Sequence, residues 1–170
     1  MLVLVVGPSG AGKDTLLEGA RQAMPEARFV RRVITRPAEA GGEDHEAVSE
    51  AAFSRREFAL QWEAHGLRYG IPADIADDLA AGRTVVANVS RGAITAAAAR
   101  FPVHVIEVTA PAEVLAARLA ARGRESGADV AARLARTVAL PDGVRVTRVV
   151  NDGTMAEGVA RFLAAVRGEI

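Results

Sequence analysis

The chain of 170 residues contains no cysteine. Disulfide bonds, thiolate catalysis and cysteine-bound metals are therefore excluded. An excess of either charge is also lacking, since 21 basic residues balance 21 acidic ones, and this balance argues against nucleic acid or a membrane as a partner. The first apolar run, Leu2–Val6, is too short for a signal peptide and has no basic residue before it. We expect a cytoplasmic protein.

Lysine is almost absent as well. Twenty of the 21 basic residues are arginine, and the single lysine is Lys13. It lies in the stretch GPSGAGKDT, which runs from Gly7 to Thr15 directly after the apolar run. The spacing G-x-x-x-x-G-K is that of a phosphate-binding loop (P-loop), and chance would place a lone lysine there about once in 170 trials. An arginine would not be equivalent, because its planar fork is bulkier than a compact ammonium.

The P-loop is predicted to bind the phosphates of a nucleotide. Its glycines let backbone N–H groups turn toward an anion, the helix that starts at Lys13 adds its positive dipole end, and Lys13 bridges the β- and γ-phosphates. The nucleotide-binding candidates in the loop are Gly7, Pro8, Ser9, Gly10, Ala11, Gly12, Lys13, Asp14 and Thr15.

Asp14 departs from the usual pattern, in which a hydroxyl residue after the lysine ligates Mg²⁺. One interpretation is an acidic residue that only complements the helix dipole. The other is a carboxylate that shares Mg²⁺ with the triphosphate, with Thr15 as the alternative source of a metal ligand. Both interpretations stay open.

Predicted strands and helices alternate along the chain, which indicates an α/β fold with a parallel sheet. We predict strands over 2–6, 28–34, 84–89, 103–108 and 144–150, and helices over 13–23, 91–100, 111–121 and 154–166. The prediction is a single P-loop NTPase domain whose five-stranded core covers 1–35 and 84–170. An acceptor-binding lobe of short helices and hairpins is inserted at about 36–83, and a short lid lies at about 122–129.

Two groups of arginines are predicted to face the P-loop. The first group, Arg31, Arg32 and Arg36, lies at the end of the second strand, and the carboxyl ends of parallel strands share one crevice. The second group straddles the glycine-bearing break of the predicted lid and consists of Arg118, Arg122, Arg124, Arg133 and Arg136. Arginine forks suit both a transferred phosphoryl group and an acceptor phosphate, whereas the alternative is a solvated helix face in an arginine-rich chain. The catalytic candidates are Lys13, Arg36, Arg124 and Arg133.

The lobe contains acidic, imidazole and phenol groups suited to an acceptor. Glu43, Asp44 and His45 lie in GGEDHE, where carboxylates can accept hydrogen bonds from sugar hydroxyls or hold Mg²⁺, although most lone histidines are structural. Tyr69, in AHGLRYGIP, is placed to contact an acceptor phosphate. For Trp62 and Phe58 we predict packing in a local core in preference to contact with a ligand, because aromatic residues at this spacing usually pack together.

These stretches resemble, in this order, the guanylate-kinase-like branch of P-loop kinases, through GPSGAGK, TRP at 35–37, YG at 69–70, RL before the arginine-rich break, and ND at 151–152. Within that branch the chain is most similar to the ribose 1,5-bisphosphate phosphokinases of bacterial phosphonate breakdown. The segments that carry this similarity are GPSGAGKD, RRVITRP, GGEDHE, FALQWEAHGLRYGIP, NVSR and RGRE. An aspartate after the P-loop lysine is customary in that family.

The resemblance implies transfer of the γ-phosphoryl group of ATP, with Mg²⁺, to the 1-phosphate of ribose 1,5-bisphosphate. The product is 5-phosphoribosyl 1-diphosphate. The implied acceptor site consists of Arg32, Arg36, Glu43, Asp44, His45, Tyr69 and Asn88. Arg122 and Asn151 are the implied further nucleotide contacts, Asn151 at a position that touches adenine, although a turn former in NDGT is an equal alternative for it.

A guanylate or other nucleoside monophosphate kinase is the alternative function. Guanylate kinases are expected to carry a glutamate where this chain has Leu60, an aspartate near Asn88 and a tyrosine near His45. Leu60 cannot accept hydrogen bonds from guanine, and each unmet buried polar group costs roughly 1–3 kcal/mol. A third possibility is a non-catalytic interaction module, against which the complete P-loop argues. The oligomeric state is left open.

Overall fold

The structure is a computed structural model that describes residues 1–39, 44–121 and 139–170. Its elements, in chain order, are β1 (Leu2–Val6), α1 (Lys13–Ala23), β2 (Arg28–Phe29), β3 (Val33–Ile34), β4 (Glu46–Ala47), α2 (Glu50–Ser54), β5 (Phe58–Ala64), β6 (Leu67–Pro72), α3 (Ile75–Ala80), β7 (Val85–Asn88), α4 (Ile94–Arg100), β8 (Val103–Thr109), α5 (Ala112–Ala121), β9 (Arg145–Val150) and α6 (Met155–Val166). The predicted lid and the predicted site residues Glu43, Arg122, Arg124 and Arg133 lie outside the described residues.

Five parallel strands form the central sheet in the order β2-β7-β1-β8-β9. The central strand β1 is a continuous apolar run, and all five of its residues are at most 1% exposed. Such runs are typical of parallel strands covered on both faces. The predicted five-stranded parallel sheet is confirmed, and the loop that follows β1 leaves the sheet at its carboxyl edge.

Two hydrophobic clusters cover the faces of this sheet. On one face, Val3 and Val5 pack with Leu16 of α1 and Phe162 of α6. On the other face, Leu4 belongs to a cluster that includes residues of α4 and of the inserted lobe. The sheet is therefore enclosed by α1 and α6 on one side and by α4 and the lobe on the other.

The lobe contains a second sheet of four strands in the order β4-β3-β6-β5. Strands β5 and β6 form an antiparallel hairpin, and β3 pairs antiparallel with β6, with Ile34 opposite Tyr69. Because Val33 and Ile34 belong to this sheet, the sheet begins just before residue 36, where the sequence places the start of the lobe. The sheet brings the aromatic hairpin to the side of the central sheet.

The prediction of a single strand over 28–34 is wrong, because two short strands, β2 and β3, occupy this stretch. Strand β2 pairs with β7 in the central sheet, and the last bond of this run joins Val30 N–H to Val86 O at 2.9 Å. The chain then passes through Arg31 and Arg32 and enters the second sheet at β3. Two adjacent guanidinium groups are too costly to bury between covered strands, so the chain leaves the central sheet at this pair.

Helix boundaries agree closely with the sequence patterns, with one difference. The first helix begins at Lys13 and ends at Ala23, as predicted. The helix predicted over 91–100 opens with a 3₁₀ turn that contains Gly92, and its α-helical part begins at Ile94. Thr154 caps α6 by accepting a hydrogen bond from the Glu157 N–H at 3.2 Å. In the described part of the chain, no helix has both the length and the hydropathy of a membrane-crossing segment.

Candidate active site at the phosphate-binding loop

The P-loop follows β1 and requires glycine at both of its ends. A Cβ at Gly7 would lie 2.1 Å from the Val108 carbonyl oxygen of the neighbouring strand. Gly12 has a φ of +87°, in the left-handed region, and begins α1. These backbone constraints explain why the glycine spacing recognised in the sequence persists as a compact loop.

Lys13 folds back over this loop. Its ammonium donates hydrogen bonds to the carbonyl oxygens of Gly7 and Pro8, the latter at 3.2 Å. The positive charge is thus held at the carboxyl edge of the sheet, above the amino-terminal end of α1. A phosphate that enters the loop would replace these carbonyl oxygens as the acceptor of the lysine's hydrogen bonds.

Asn151 and Arg118 bind the outer side of the loop. The Asn151 side chain is 8% exposed and donates from Nδ2 to the Ala11 carbonyl oxygen at 2.8 Å. Arg118 donates from Nη1 to the Gly10 carbonyl oxygen at 3.0 Å and from Nη2 to the Asn151 carbonyl oxygen at 2.7 Å. In this arrangement the Asn151 amide contacts the P-loop; its predicted contact with adenine stays a prediction.

A cleft of about 230 Å³ opens between the P-loop and the lobe hairpin. It is bordered by residues from the loop, from the ends of β7 and β2, and from the hairpin: Gly7, Ser9, Lys13, Arg32, Trp62, Ala64, His65, Tyr69, Asn88, Val89 and Ser90. Five residues predicted for the site from separate parts of the sequence (Gly7, Ser9, Lys13, Arg32 and Asn88) therefore lie around one space. Tyr69, predicted for the acceptor, borders the same space.

Trp62 borders this cleft in addition to packing against the core. Its ring stacks on that of Tyr69, with centroids 5.5 Å apart and planes inclined by 4°. The Arg32 guanidinium makes a cation–π contact with Tyr69, 5.1 Å from the ring centroid. The sequence pattern predicts local core for both Trp62 and Phe58, and for Trp62 the cleft contact comes in addition. Phe58 does pack against Phe53, at 4.4 Å between centroids.

A sequence signal for Trp62 existed in the hairpin turn. His65 and Gly66 both have positive φ, of 53° and 72°, as in the two-residue turns that connect tight hairpins. With those two residues as the turn, Ala64 pairs with Leu67 and Trp62 falls directly opposite Tyr69. Counting the register outward from His-Gly therefore places both rings on one face of the sheet.

A second cleft, of about 370 Å³, adjoins the first and shares Arg32 and Asn88 with it. Asp14 and Asp44 border this second cleft, and Asp44 accepts a hydrogen bond from Arg31 Nε at 3.2 Å. Asp14 thus faces the same space as the start of the lobe. The second cleft is suited to hydroxyl groups or a cation because it combines carboxylates with guanidinium groups.

His45 and Arg36 do not border either of these clefts. His45 is 3% exposed, and its Nε2 lies 3.0 Å from the Arg36 carbonyl oxygen while its Nδ1 lies 3.4 Å from Arg36 Nη2. Since a guanidinium nitrogen only donates, this geometry fits a ring with its hydrogen on Nε2. The pair fixes the chain at the start of the lobe, and the predicted substrate contacts of both residues stay predictions.

Glu107 is a buried carboxylate with two arginine partners, and the sequence patterns do not predict this group. It lies on β8 opposite Val6, one residue before the P-loop, and is 7% exposed. Burial acts to raise its pKa, but hydrogen bonds from Arg148 and Arg91, both at 2.7 Å, outweigh burial and lower the pKa. The carboxylate therefore stays ionised and holds both guanidinium groups beside the carboxyl edge of the sheet.

Comparisons with known proteins agree with this geometry. A family model described as an AAA domain matches residues 2–140. The ribose 1,5-bisphosphate phosphokinase PhnN of Acidiphilium cryptum is 55% identical to the chain over 165 residues, which cover 95% of the chain and 90% of that protein. The chain belongs to the ribose 1,5-bisphosphate phosphokinase family. The predicted family is thereby confirmed.

Members of the phosphokinase family also occur as parts of longer proteins. The bifunctional ribose 1,5-bisphosphokinase-thymidine phosphorylase of Cupriavidus pinatubonensis is 54% identical over 172 residues, which cover 96% of the chain. The chain spans 29% of the length of that protein. Among solved structures, the guanylate kinase of Anaplasma phagocytophilum superposes with a TM-score of 0.70 at 23% identity, covering 99% of the chain and 85% of that structure. This likeness shows the fold, and it confirms the predicted P-loop kinase architecture.

Leu60 distinguishes this member of the phosphokinase family from the pattern expected of a guanylate kinase. The side chain is 4% exposed and belongs to the apolar cluster between the central sheet and the lobe. It pairs across the hairpin with Ile71, which is fully buried. At this position the chain offers no group that could accept hydrogen bonds from a nucleobase.

Proposed function

We propose that the chain transfers the γ-phosphoryl group of ATP to the 1-phosphate of ribose 1,5-bisphosphate and so forms 5-phosphoribosyl 1-diphosphate. The observation that carries the proposal is the cleft that Lys13 of the P-loop and Arg32 of the lobe border together. A donor triphosphate on the loop and an acceptor phosphate at Arg32 would meet there. The high identity to the phosphokinase of Acidiphilium cryptum supports this choice of acceptor.

The reaction needs positioning and charge neutralisation more than proton transfer. An oxygen of the 1-phosphate forms a bond to the γ-phosphorus, and the bond between that phosphorus and the β–γ bridging oxygen breaks, which releases ADP. The attacking phosphate oxygen is already ionised near neutral pH, so no strong general base is required. Lys13 is placed to neutralise charge on the transferring group, since such transfers depend on alignment and electrostatic stabilisation.

Mg²⁺ would neutralise the triphosphate, and Asp14 and Thr15 are the side chains proposed to hold it. Both are exposed on the first turn of α1. Asp14 borders the second cleft together with Asn88. Asp14 and Thr15 also line the groove between α1 and α6. Within the described ranges, no group of three acidic or imidazole side chains is placed to bind a metal. This fits a cation held by one or two side chains, phosphate oxygens and water.

The acceptor is proposed to lie against the stack of Trp62, Tyr69 and Arg32. The Arg32 guanidinium would bind the acceptor phosphate, since guanidinium groups form strong charge-assisted bonds to phosphate. Asn88 and the carboxylates of the second cleft, Asp14 and Asp44, are suited to the ribose hydroxyls.

An acceptor panel with MgATP, followed by ³¹P NMR, tests the proposal. With ribose 1,5-bisphosphate we expect new diphosphate signals and the appearance of ADP. Ribose 5-phosphate, which lacks the 1-phosphate, is the matched control and should give no diphosphate.

Two results would contradict the proposal. Rapid phosphorylation of GMP with no reaction of ribose 1,5-bisphosphate would assign the chain to nucleoside monophosphate kinases. An absence of saturable, Mg²⁺-dependent ATP binding would assign it to non-catalytic interaction modules.

A further inference from the structure

Asn151 occupies a position where the family resemblance implies a contact with adenine, but its side chain is engaged elsewhere. We propose that Asn151, supported by Arg118, is a positioning residue that fixes the orientation of the P-loop peptides for binding any triphosphate. This inference concerns the triphosphate alone. It therefore holds or fails independently of the proposed acceptor.

The backbone of Asn151 is anchored on both sides. Its N–H donates to the Thr109 carbonyl oxygen at 2.7 Å, which continues the pairing of β8 with β9. Its carbonyl oxygen accepts from Arg118 Nη2 at 2.7 Å. The residue is therefore held by two neighbouring elements before its side chain makes any contact.

The side-chain amide fits between two glycines. A Cβ at Gly12 would lie 2.5 Å from Asn151 Nδ2, and a Cβ at Gly158 of α6 would lie 2.4 Å from Asn151 Oδ1. Both distances are far shorter than real Cβ contacts allow. The amide thus occupies a slot that only the absence of two side chains makes available, one in the P-loop and one in α6.

The bond from this amide determines a peptide orientation in the loop. In a trans peptide the C=O and the following N–H point in opposite directions, and no described peptide is cis. When Asn151 Nδ2 holds the Ala11 carbonyl oxygen, the Gly12 N–H is directed away from Asn151. Arg118 holds the preceding carbonyl, that of Gly10, in the same manner. The N–H of that preceding peptide, on Ala11, donates to the Pro8 carbonyl oxygen at 3.2 Å. Both peptides are thus held before a ligand arrives, and the Gly12 N–H, directed away from Asn151, is the donor that this arrangement prepares for an anion.

The two roles of Asn151 predict different ligand dependence. A contact with adenine would contribute to ATP binding and nothing to the binding of a triphosphate without that base. A positioning role would contribute equally to ATP, GTP and inorganic tripolyphosphate, because all three present the same phosphates to the loop. Comparing the three ligands therefore separates the two roles.

Isothermal titration calorimetry of the magnesium complexes of ATP, GTP and tripolyphosphate would test the proposal. Asn151→Asp is the central variant because it keeps the shape of the side chain and turns the donor into an acceptor facing the Ala11 carbonyl. We expect Kd to rise by at least about tenfold, by a similar factor for all three ligands. Asp152→Ala is the matched control, because that neighbouring side chain pairs with Arg161 on the surface, and it should leave all three Kd values unchanged.

A second variant approaches the same slot from the other side. Gly158→Ala keeps the asparagine at position 151 but puts a methyl group against its Oδ1, so the amide must move. We expect the same uniform weakening of the binding of all three ligands.

Asn151→Ala is measured in every case, because it removes the amide without adding charge. Uniform weakening in Asn151→Ala therefore cannot come from repulsion between a new carboxylate and the triphosphate. If Asn151→Asp does not fold, as judged by circular dichroism, Asn151→Ala carries the same comparison. Weakening confined to ATP would overturn the proposal in favour of an adenine contact. Unchanged Kd values for all three ligands would also overturn it.

Discussion

The P-loop side of the cleft is built from main chain, whereas the lobe side is built from side chains. On the P-loop side, the carbonyl oxygens of Gly7, Gly10 and Ala11 accept hydrogen bonds from Lys13, Arg118 and Asn151, respectively. On the lobe side, the surface consists of the stacked Trp62 and Tyr69 rings and of the Arg32 guanidinium, which lies over the Tyr69 ring. A backbone site tolerates little variation in sequence, while a side-chain site can be altered by single substitutions without changing the fold. Substitutions on the two sides are therefore expected to differ in kind, and three substitutions test that difference, while a fourth tests the sheet that carries the P-loop.

The largest effect is expected on the P-loop side. Lys13→Ala should lower kcat for phosphoryl transfer by about 10²–10³-fold or more, because it removes a charge aimed at the transferring group. Thermal unfolding should change little, since the ammonium donates to the loop carbonyls of Gly7 and Pro8 and is not part of either hydrophobic cluster. Steady-state kinetics and differential scanning calorimetry measure the two quantities. Near-normal turnover would refute the proposed role of the lysine.

On the lobe side, Arg32→Ala should act on the acceptor alone. We expect the acceptor KM to rise by about 10–100-fold, as for loss of a charge-assisted hydrogen bond, while the Kd of MgATP stays within about twofold. Arg83→Ala is the matched control, because that exposed guanidinium pairs with Asp78 and borders neither cleft, and it should leave the acceptor KM unchanged. An equal loss of ATP affinity in Arg32→Ala would show that the two sides of the cleft are not separable.

Trp62→Ala should alter selectivity more than rate. Removing the indole enlarges the cleft beside Tyr69, so we expect the ratio of kcat/KM for ribose 1,5-bisphosphate to that for GMP to fall by about tenfold. Trp62→Phe keeps a ring over Tyr69 and should preserve most of the ratio. Competition assays with both acceptors in one mixture measure this ratio directly. An unchanged ratio in Trp62→Ala would show that the indole does not determine which acceptor is used.

The smallest effect concerns acid stability of the central sheet, which carries the P-loop. His104 on β8 is 2% exposed, with Nε2 lying 2.8 Å from Thr147 Oγ1. Burial, and then the charge of Arg145, lower its pKa below 6.5. The unfolded chain therefore binds more protons in acid, and the contribution of His104 to stability, present above pH 6.5, is lost as pH falls from that value through the lower pKa of the folded protein.

His104→Gln should remove this dependence because an amide does not titrate in the range. Between pH 7.5 and 5.5 the unfolding temperature of the variant should fall less than that of the parent protein, by about 2–4 °C. Calorimetric scans at four pH values measure the difference. Parallel pH profiles for the two proteins would show that other groups determine the acid sensitivity.

The P-loop side could be predicted from sequence almost completely because its determinants are contiguous. An uninterrupted apolar run specifies β1, and the glycines and Lys13 that follow it encode both the loop and the start of α1. The strand predicted over 28–34 failed because an apolar pattern alone does not show that the Arg31–Arg32 pair separates two sheets.

Contacts between distant segments account for what the sequence did not reveal. Asn151 contacts Ala11 across 140 positions, and Arg118 reaches Gly10 across 108. Neither pair leaves a periodic or motif signal, because the pairing depends on how β9 and α5 pack beside β1. Trp62 was recoverable in principle, since counting pairs from the hairpin turn places it opposite Tyr69.

The single lysine has a practical consequence for chemistry on this protein. Its ε-amino group is the only one in the sequence, so an amine-directed acylating reagent has just Lys13 and the α-amino group as targets. A ligand that covers Lys13 would lower by one the number of acyl groups counted from the mass of the chain, without digestion or a radiolabel. In this chain, ordinary protein labelling chemistry becomes a direct occupancy assay for one atom of the P-loop.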